Sequence, residues 1–460
     1  MRKLAAATIA SILAWNVSPS FAADVRAVPL KAGDVYSGQS TETLRGHIDF
    51  KAPGKSDVKR LAFNLKRESR YFERILESKM ADDAIPERVL RVIETLESRR
   101  KMGDKEEEKG FPLRDESRHV VLHRGEAFAK PFSLKGPLKQ DEIHTLSHQV
   151  FVPALNGLLP NEPLAVGLKW NANRRAVAQL AGLVPLETGD LTCTVKNLNF
   201  NFHGKPLVQI GFSGVLKGWS EEGNVSDDVA GSLYIDRADG KVHSLTVEGL
   251  RTLYDEDKKT VTGELEMKYE LAIRPREAEA ALDDATAAEA AKDPTPTQTA
   301  VLYEYPPCAV KLVHPRGWIL DNAVGTKLEF GYRKEGQQLM MKFHEDDKTP
   351  TVQEYYKDVE ANLKREKFTN IVWTIAPEEK TKGDMRLGWF EATGNKDGEW
   401  RLYYMLYQKG RRGLTMGMYL HSKAAQEGTL KADVQAILNR LEFTGDRNPF
   451  FVKPKEPEKK

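Results

Sequence analysis

Two histidines stand four residues apart, His144 and His148, on a stretch that opens with Asp141 and Glu142. On a helix, positions i and i+4 share a face, so two imidazoles at this spacing can grip one metal ion. The zinc-hydrolase form of the motif needs a glutamate directly after the first histidine, and Thr145 occupies that place. A third ligand would have to come from elsewhere in the chain, and exposed helix histidines are the plainer reading. His119 and His123 flank Val120-Val121-Leu122 in a strand pattern. Strand residues four apart lie about 13 Å from each other, so that pair is no chelate.

The other chemistries find less. Of the two cysteines, Cys193 falls on the apolar side of an alternating strand with Leu191 and Val195, and Cys308 begins the first strand of a later domain. A disulfide would have to tie the two domains together, and two buried, inert thiols are expected instead. Neither cysteine carries a nucleophile signature. Ile210-Gly211-Phe212-Ser213-Gly214 lacks the glycine two residues before the serine that a nucleophile elbow requires, and it lies mid-strand. No phosphate loop or dinucleotide glycine pattern occurs, so no cofactor is implied. The acids at Asp236/Asp239, Asp255/Asp257 and Glu345/Asp346/Asp347 fall between strands, where carboxylates form turns and carry solvated charge.

Composition narrows the partners. Lys plus Arg at 69 against Asp plus Glu at 67 leaves a formal charge of +2, which gives no global field to draw nucleic acid or an anionic surface. Met1-Arg2-Lys3, the apolar run Leu4 to Val17 and Ser20-Phe21-Ala22 read as a signal peptide over residues 1–22. That run is too short to span a bilayer, and no later one is apolar enough. The expected location is periplasmic or secreted. Residues 276–300 read as an Ala/Glu and then Pro/Thr linker between a domain at 23–275 and one at 301–445, and the charged residues 446–460 read as a disordered tail.

The fold is clearest from Tyr303 to Phe443. Val310/Leu312, then Leu328/Phe330/Tyr332 and Leu339/Met341/Phe343, alternate as strands do. Thr351 stands three residues before Glu354, a capping-box spacing, and Val352, Tyr355, Val359 and Leu363 follow at helical intervals. Alternation returns at Leu387/Trp389, Trp400/Leu402/Tyr404/Leu406 and Leu414/Met416/Met418/Leu420, before a closing helix with Leu430, Val434, Ile437, Leu438 and Leu441. The order reads β-β-β-α-β-β-β-β-α. With the Tyr-Pro-Pro start, the His314-Pro315-Arg316-Gly317-Trp318 turn, the Thr349-Pro350-Thr351 helix entry and the Asn395-Lys396-Asp397-Gly398 hairpin, residues 303–443 resemble the PsbP-like fold, an antiparallel sheet with two helices in an α/β/α sandwich. That superfamily includes an extrinsic subunit of photosystem II, a nuclear-import factor that binds a small GTPase, and secreted bacterial proteins. The resemblance implies a domain that binds partners and has no active site of its own, and fold alone does not choose the partner.

The N-terminal domain reads as β-rich. From Asp190 onward five long strands are separated by turns at His203-Gly204-Lys205, Glu221 to Asn224, Asp236 to Gly240 and Asp255 to Lys259. In the last strand Val261, Leu265, Met267, Tyr269, Leu271 and Ile273 share one face. Long twisted strands curl, and Lys139 to Val150 or Asn173 to Leu183 would fill the concavity as a plug, ahead of an apolar ligand such as a lipid. In residues 58–100, Leu61, Leu65, Phe72 and Leu76 fit a helix while Leu61, Phe63 and Leu65 also alternate, and the layout of the domain tips the reading to strands. The layout is similar to secreted bacterial β-rich domains of the LolA-like half-barrel kind, so the whole chain is α+β.

One surface invites a partner. Tyr403, Met405 and Tyr407 lie on the side of their strand opposite Trp400, Leu402 and Leu406, and Tyr419 sits on the next strand beside Gly417. Such side chains on adjacent strands suit either a covering helix, which makes them core and is the plainer reading, or a partner, which would dock there or at Trp318. The reading is therefore an exported, non-enzymatic binding or accessory protein, with the β-rich domain as scaffold or holder of an apolar ligand. Beside it stand a secreted metal-dependent hydrolase using His144 and His148, and a passive envelope component.

Overall fold

The computed structural model describes residues 25–51, 57–76, 85–110, 113–126, 128–202, 204–220, 222–332, 337–344, 348–421 and 427–444. The expected signal peptide, the charged tail and the acidic run at 345–347 lie outside them. The chain is β-rich with few, short helices. In order, it forms β1 (Val35–Lys51), β2 (Val58–Ile75), β3 (Arg88–Met102), β4 (His119–His123), β5 (Lys130–Ser133), α1 (Gln140–Ser147) and α2 (Arg174–Ala181). A run of five strands follows, β6 (Thr192–Phe202), β7 (Lys205–Ser220), β8 (Gly223–Asp236), β9 (Val242–Tyr254) and β10 (Val261–Arg276), then α3 (Asp284–Ala291). The remainder is β11 (Val301–Tyr305), β12 (Val310–His314), β13 (Trp318–Val324), β14 (Lys327–Tyr332), β15 (Gln338–His344), α4 (Val352–Arg365), β16 (Thr369–Lys382), β17 (Met385–Asn395), β18 (Glu399–Lys409), β19 (Arg412–His421) and α5 (Glu427–Asn439).

Packing divides the chain into two units. The first holds the described residues up to Leu30 with Thr41–Asn64 and Ala154–Arg274; the second holds Lys31–Ser40, Leu65–Pro153 and everything from Pro275 onward. The stretch Leu65–Pro153, read with the N-terminal domain in the sequence, thus groups with the C-terminal part.

In the first unit the meander β10-β9-β8-β7-β6 is antiparallel throughout. Residues directly opposite across antiparallel strands share a side of the sheet, so register sorts the faces. Ile210, Leu233, Leu245 and Leu271 form one buried row; Leu216, Asp227, Arg251 and Leu265 form another. Between them Val247, Met267 and Tyr269 stay half-buried. Val261 departs from the expected apolar face: a register shift at Leu253/Tyr254 sets it opposite Tyr254, and it is 44% exposed. α2 is built by its ends. Asn173 Oδ1 accepts from the N–H groups of Arg175 and Ala176, Gly182 closes the helix at φ 66°, and Ala176 and Val177 are buried. Arg251 reaches from the sheet to the carbonyl of Ala181 at its C-terminal end, and bonds Asp227 at 2.8 Å and 2.9 Å. Gly46 has to be glycine, since a Cβ there would sit 1.9 Å from the Glu264 carbonyl oxygen.

In the second unit the strand order is β5-β4-β3-β2-β1. One face buries Leu90, Val121 and Phe132 against Leu282, Ala287 and Ala290. The segment read as a mobile linker is therefore docked. Arg74 bonds the Leu282 carbonyl at 2.8 Å and Arg88 the Ala291 carbonyl at 2.9 Å, so small alanines that suggested flexibility instead permit close packing. α1 belongs to this unit too, beside β5 and β11, and is no plug for the meander.

The C-terminal part holds an antiparallel sheet ordered β13-β14-β15-β19-β18-β17-β16. Five strands precede α4 where three were expected. Val301–Tyr305 shows no alternation because Val301, Leu302 and Tyr305 are all buried, and Trp318–Val324 turns polar after Leu320. α4 begins as its capping box requires, with the Glu354 N–H on Thr351 Oγ1 at 3.2 Å and the Thr351 N–H on Glu354 Oε2 at 2.7 Å. It covers Phe390, Ala392, Leu402 and Tyr404 with Val352, Val359 and Leu363. On the opposite side Val434, Ile437 and Leu438 of α5 join Val310 and Leu312 of β12 over Leu339, Met341, Met416 and Met418.

Candidate interaction surface

The register of the C-terminal sheet places an apolar row, bordered by Glu378, Lys380 and Glu391, on the α5 side. β17 and β18 pair as Leu387↔Tyr407, Trp389↔Met405 and Glu391↔Tyr403. β16 adds Val372, Ile375 and Lys380 on the same side, opposite Thr393, Glu391 and Leu387. Leu387, Trp389 and Ile375 are half-buried, as are Tyr403, Met405 and Tyr407, which pack against the α5-side core, while Met385 is 37% exposed and Val372 58%. The cause is the seating of the helices. α4 covers β16 to β18 on one side, whereas α5 on the other sits toward β12, β15 and β19. Three strands span about 10 Å at 4.8 Å spacing, so the partly covered face they form on the α5 side is a strip about one helix wide.

Lysines line that strip. Lys380 Nζ stands 4.8 Å from the centre of the Trp389 ring and Lys431 Nζ, from α5, 4.1 Å from that of Tyr403. Lys431 also lies 3.3 Å from Glu391. Lys382 and Lys409 flank Met385 across the strands and are exposed. Burial holds the Tyr403 hydroxyl above its ordinary pKa, with Lys431 pulling the other way, so it stays a neutral donor at physiological pH.

The residues expected from sequence are only partly brought together. Tyr403, Met405 and Tyr407 share the strip. Tyr419 does not: it pairs with Leu402, so it lies on the α4 side, its ring 6.0 Å from that of Tyr404. Trp318 is 1% exposed, packed in the core with its Nε1–H on Asp433 at 3.2 Å, and offers no docking surface. Met385, Leu387, Trp389 and Val372 were missed as surface. The available signal was that Met385-Leu387-Trp389 and Phe390-Ala392 are apolar on alternate parities, a strand with two apolar faces.

His144 and His148 do come together, with ring centres 4.4 Å apart. His148 Nδ1, however, lies 2.6 Å from the His144 carbonyl, and among the described residues no group of three or more His, Cys, Asp or Glu side chains is arranged to hold a metal ion. Nearby Glu142 works as a cap. It accepts from the Lys139 N–H at 2.8 Å, from Arg114 at 2.7 Å and 2.9 Å and from Ser117 at 2.7 Å. Burial alone would raise its carboxyl, but those donors outweigh it and hold the pKa below the usual carboxylate value. Cys193 and Cys308 are buried free thiols, and burial pushes the Cys193 thiol up to about 12.

A buried charged cluster was invisible in the sequence. Tyr36, Glu73 and Arg91 stand side by side on β1, β2 and β3, all at most 2% exposed. Glu73 accepts from both the Tyr36 hydroxyl and Arg91 Nε; Arg91 also donates to the Val150 carbonyl at 2.9 Å and stacks 3.9 Å from the Tyr71 ring centre. Burial pushes the Glu73 carboxyl up against the pull of Arg91. With no exposed member this cluster meets no substrate, and its place is in stability.

No family model and no curated protein matches the chain. Among solved structures, the Saccharomyces cerevisiae Ran-binding protein Mog1p is 10% identical, with a TM-score of 0.25 over 32% of this chain and 95% of that one. Lipovitellin is 10% identical with a TM-score of 0.29, over 54% of this chain and 26% of its own. Salmonella typhi OmpF, in complex with daunomycin, is 6% identical with a TM-score of 0.12, over 85% and 98%. Likenesses of this strength fix neither fold nor role.

Proposed function

We propose that the chain is an exported, non-enzymatic binding protein whose C-terminal, PsbP-like domain docks a protein partner on the strip over β16 to β18. The observation that carries this is the apolar row Leu387, Trp389, Met405 and Tyr407, left half-buried on strands whose other side is covered by a helix. Aromatic and methionine side chains in one desolvatable patch are what protein interfaces concentrate. The test is site-specific photo-crosslinking in the native host. A benzophenone side chain at Leu387 or Tyr407 should give a discrete protein adduct, one at Lys357 on the exposed side of α4 none, and Trp389→Asp should abolish the adduct while leaving the circular dichroism spectrum unchanged. Equal yields from all three positions, or no adduct, would overturn the proposal.

A second reading concerns the first unit, where Val247, Met267 and Tyr269 are half-buried between the buried Leu245/Leu271 row and the Asp227–Arg251 ion pair. An apolar ligand bound there would appear as a lipid-mass adduct in native mass spectrometry of protein purified from its own envelope, and a bare chain would reject it.

A further inference from the structure

We infer that the element docking on this strip is an amphipathic helix with acidic flanks; the inference rests on the docking reading above. Shape comes first. The strip is about one helix wide and runs beside α5, and on the reverse of the same strands the space is filled by a helix, α4, whose apolar residues Val352, Val359 and Leu363 repeat at helical spacing. A helix entering from a partner would complete on the α5 side what α4 completes on the other.

A strand is the competing element, and the edge argues against it. β16 is the outermost strand of the sheet, but its pairing is broken by register shifts at Thr369/Val372, Trp373/Ile375 and Ile375/Glu378, and it contains Pro377. Bulges and proline are devices that stop an edge from templating another strand. The face is open where the edge is closed.

Charge then selects the helix. Lys380, Lys382, Lys409 and Lys431 border the apolar row, with Arg401 farther along β18, and the acids on that side are Glu378, Glu391 and Glu399, Glu391 already paired with Lys431. Lysines at the rim favour carboxylates at the margins of the partner's apolar stripe and disfavour a basic helix, acting on encounter and on specificity.

The same crosslinked adducts test this, read by sequencing the captured peptide. The expected peptide has apolar residues at three- and four-residue spacing and net negative charge. A synthetic copy should gain helical circular dichroism on binding the full chain, and Lys382→Glu with Lys409→Glu should weaken its binding by about fivefold. A captured protein segment that is basic, that binds without gaining helix, or that is indifferent to the two substitutions overturns this inference and leaves the docking surface standing. Capture of a second copy of this chain through a non-helical segment does the same. Capture of phospholipid alone, or of nothing, overturns the docking reading itself.

Discussion

Arg91 is the side chain whose removal this fold should tolerate least. Its guanidinium and the Glu73 carboxylate are both fully buried, so Arg91→Leu leaves a carboxylate out of water with only the Tyr36 hydroxyl to serve it. Breaking one partner of such a pair costs about 3–5 kcal/mol. Glu73→Leu strands the guanidinium with the Val150 carbonyl and the Tyr71 ring, and should cost a similar amount, again about 3–5 kcal/mol. The double variant is a different case. Both charges go together, and replacing a buried pair by apolar side chains is often neutral or better, less about 1–3 kcal/mol for the Tyr36 hydroxyl left without its acceptor. Arg91 Nη1 has no acceptor of its own, so the native pair does not recover its full desolvation cost. The double variant should therefore lose about 3 kcal/mol or less, with a coupling energy of about 3 kcal/mol or more. Because the chain has two packed units, a single denaturation midpoint would mix them. Hydrogen exchange followed by mass spectrometry on peptides from β2 and β3 reads the second unit directly. Additive losses in the double variant, or single losses under about 1 kcal/mol, would refute the claim that these two charges exist for each other.

Four smaller outcomes follow from the same contacts. Glu142 has its pKa lowered in the fold, so its contribution is complete above the ordinary carboxylate value and is lost as pH falls through the folded one. Glu142→Gln should cost most near neutrality, and its deficit in urea unfolding should close below about pH 4. His344 is pushed down to about 4 by burial, with Lys342 adding to the effect, while its Nε2 lies 2.8 Å from Thr415 Oγ1. Neutral imidazole is favoured, so stability should be complete above about pH 6.5 and decline toward pH 4; an NMR midpoint at 6 or higher would contradict this. Thr351→Ala should cost about 1 kcal/mol by removing the α4 cap, read as a lower urea midpoint with unchanged slope. Cys193 and Cys308 should react with a thiol reagent only on unfolding, and stoichiometric labelling of the native chain within minutes would show them accessible.

How much of this was legible in the sequence depended on whether the signal was periodic. The meander after Asp190, the α4 cap and the Asn395 to Gly398 hairpin all rest on alternation, helical spacing or turn chemistry, and all are present; residues 58–100 fit helix and strand spacing alike, and β2 and β3 lie there. The Arg276 to Lys292 stretch reads as a linker of helical composition and holds α3; what its composition could not show is that Leu282, Ala287 and Ala290 pack against Leu90 and Val121. The Glu73–Arg91 pair left no trace, since β2 and β3 carry many exposed charges and nothing local marks which two are buried. Tyr419 went to the wrong face because parity holds along one strand, while placement on its neighbour needs the pairing register, here Leu402↔Tyr419.

The strip shows what parity and counting can do together. Four strands of the C-terminal sheet, β16 to β19, have apolar residues on both parities, which gives eight strand faces to cover, and two helices of about four turns each are available in that sequence. A helix about 10 Å across shields two to three strands on one side. α4 covers one side of β16 to β18, and α5 is drawn toward β12, β15 and β19 by Val434, Ile437 and Leu438. The α5 side of β16 to β18 is the remainder, and Trp389 stands at its centre. Exposed apolar area of that kind weakens solubility unless something covers it. The lysines around it limit that cost in the free protein.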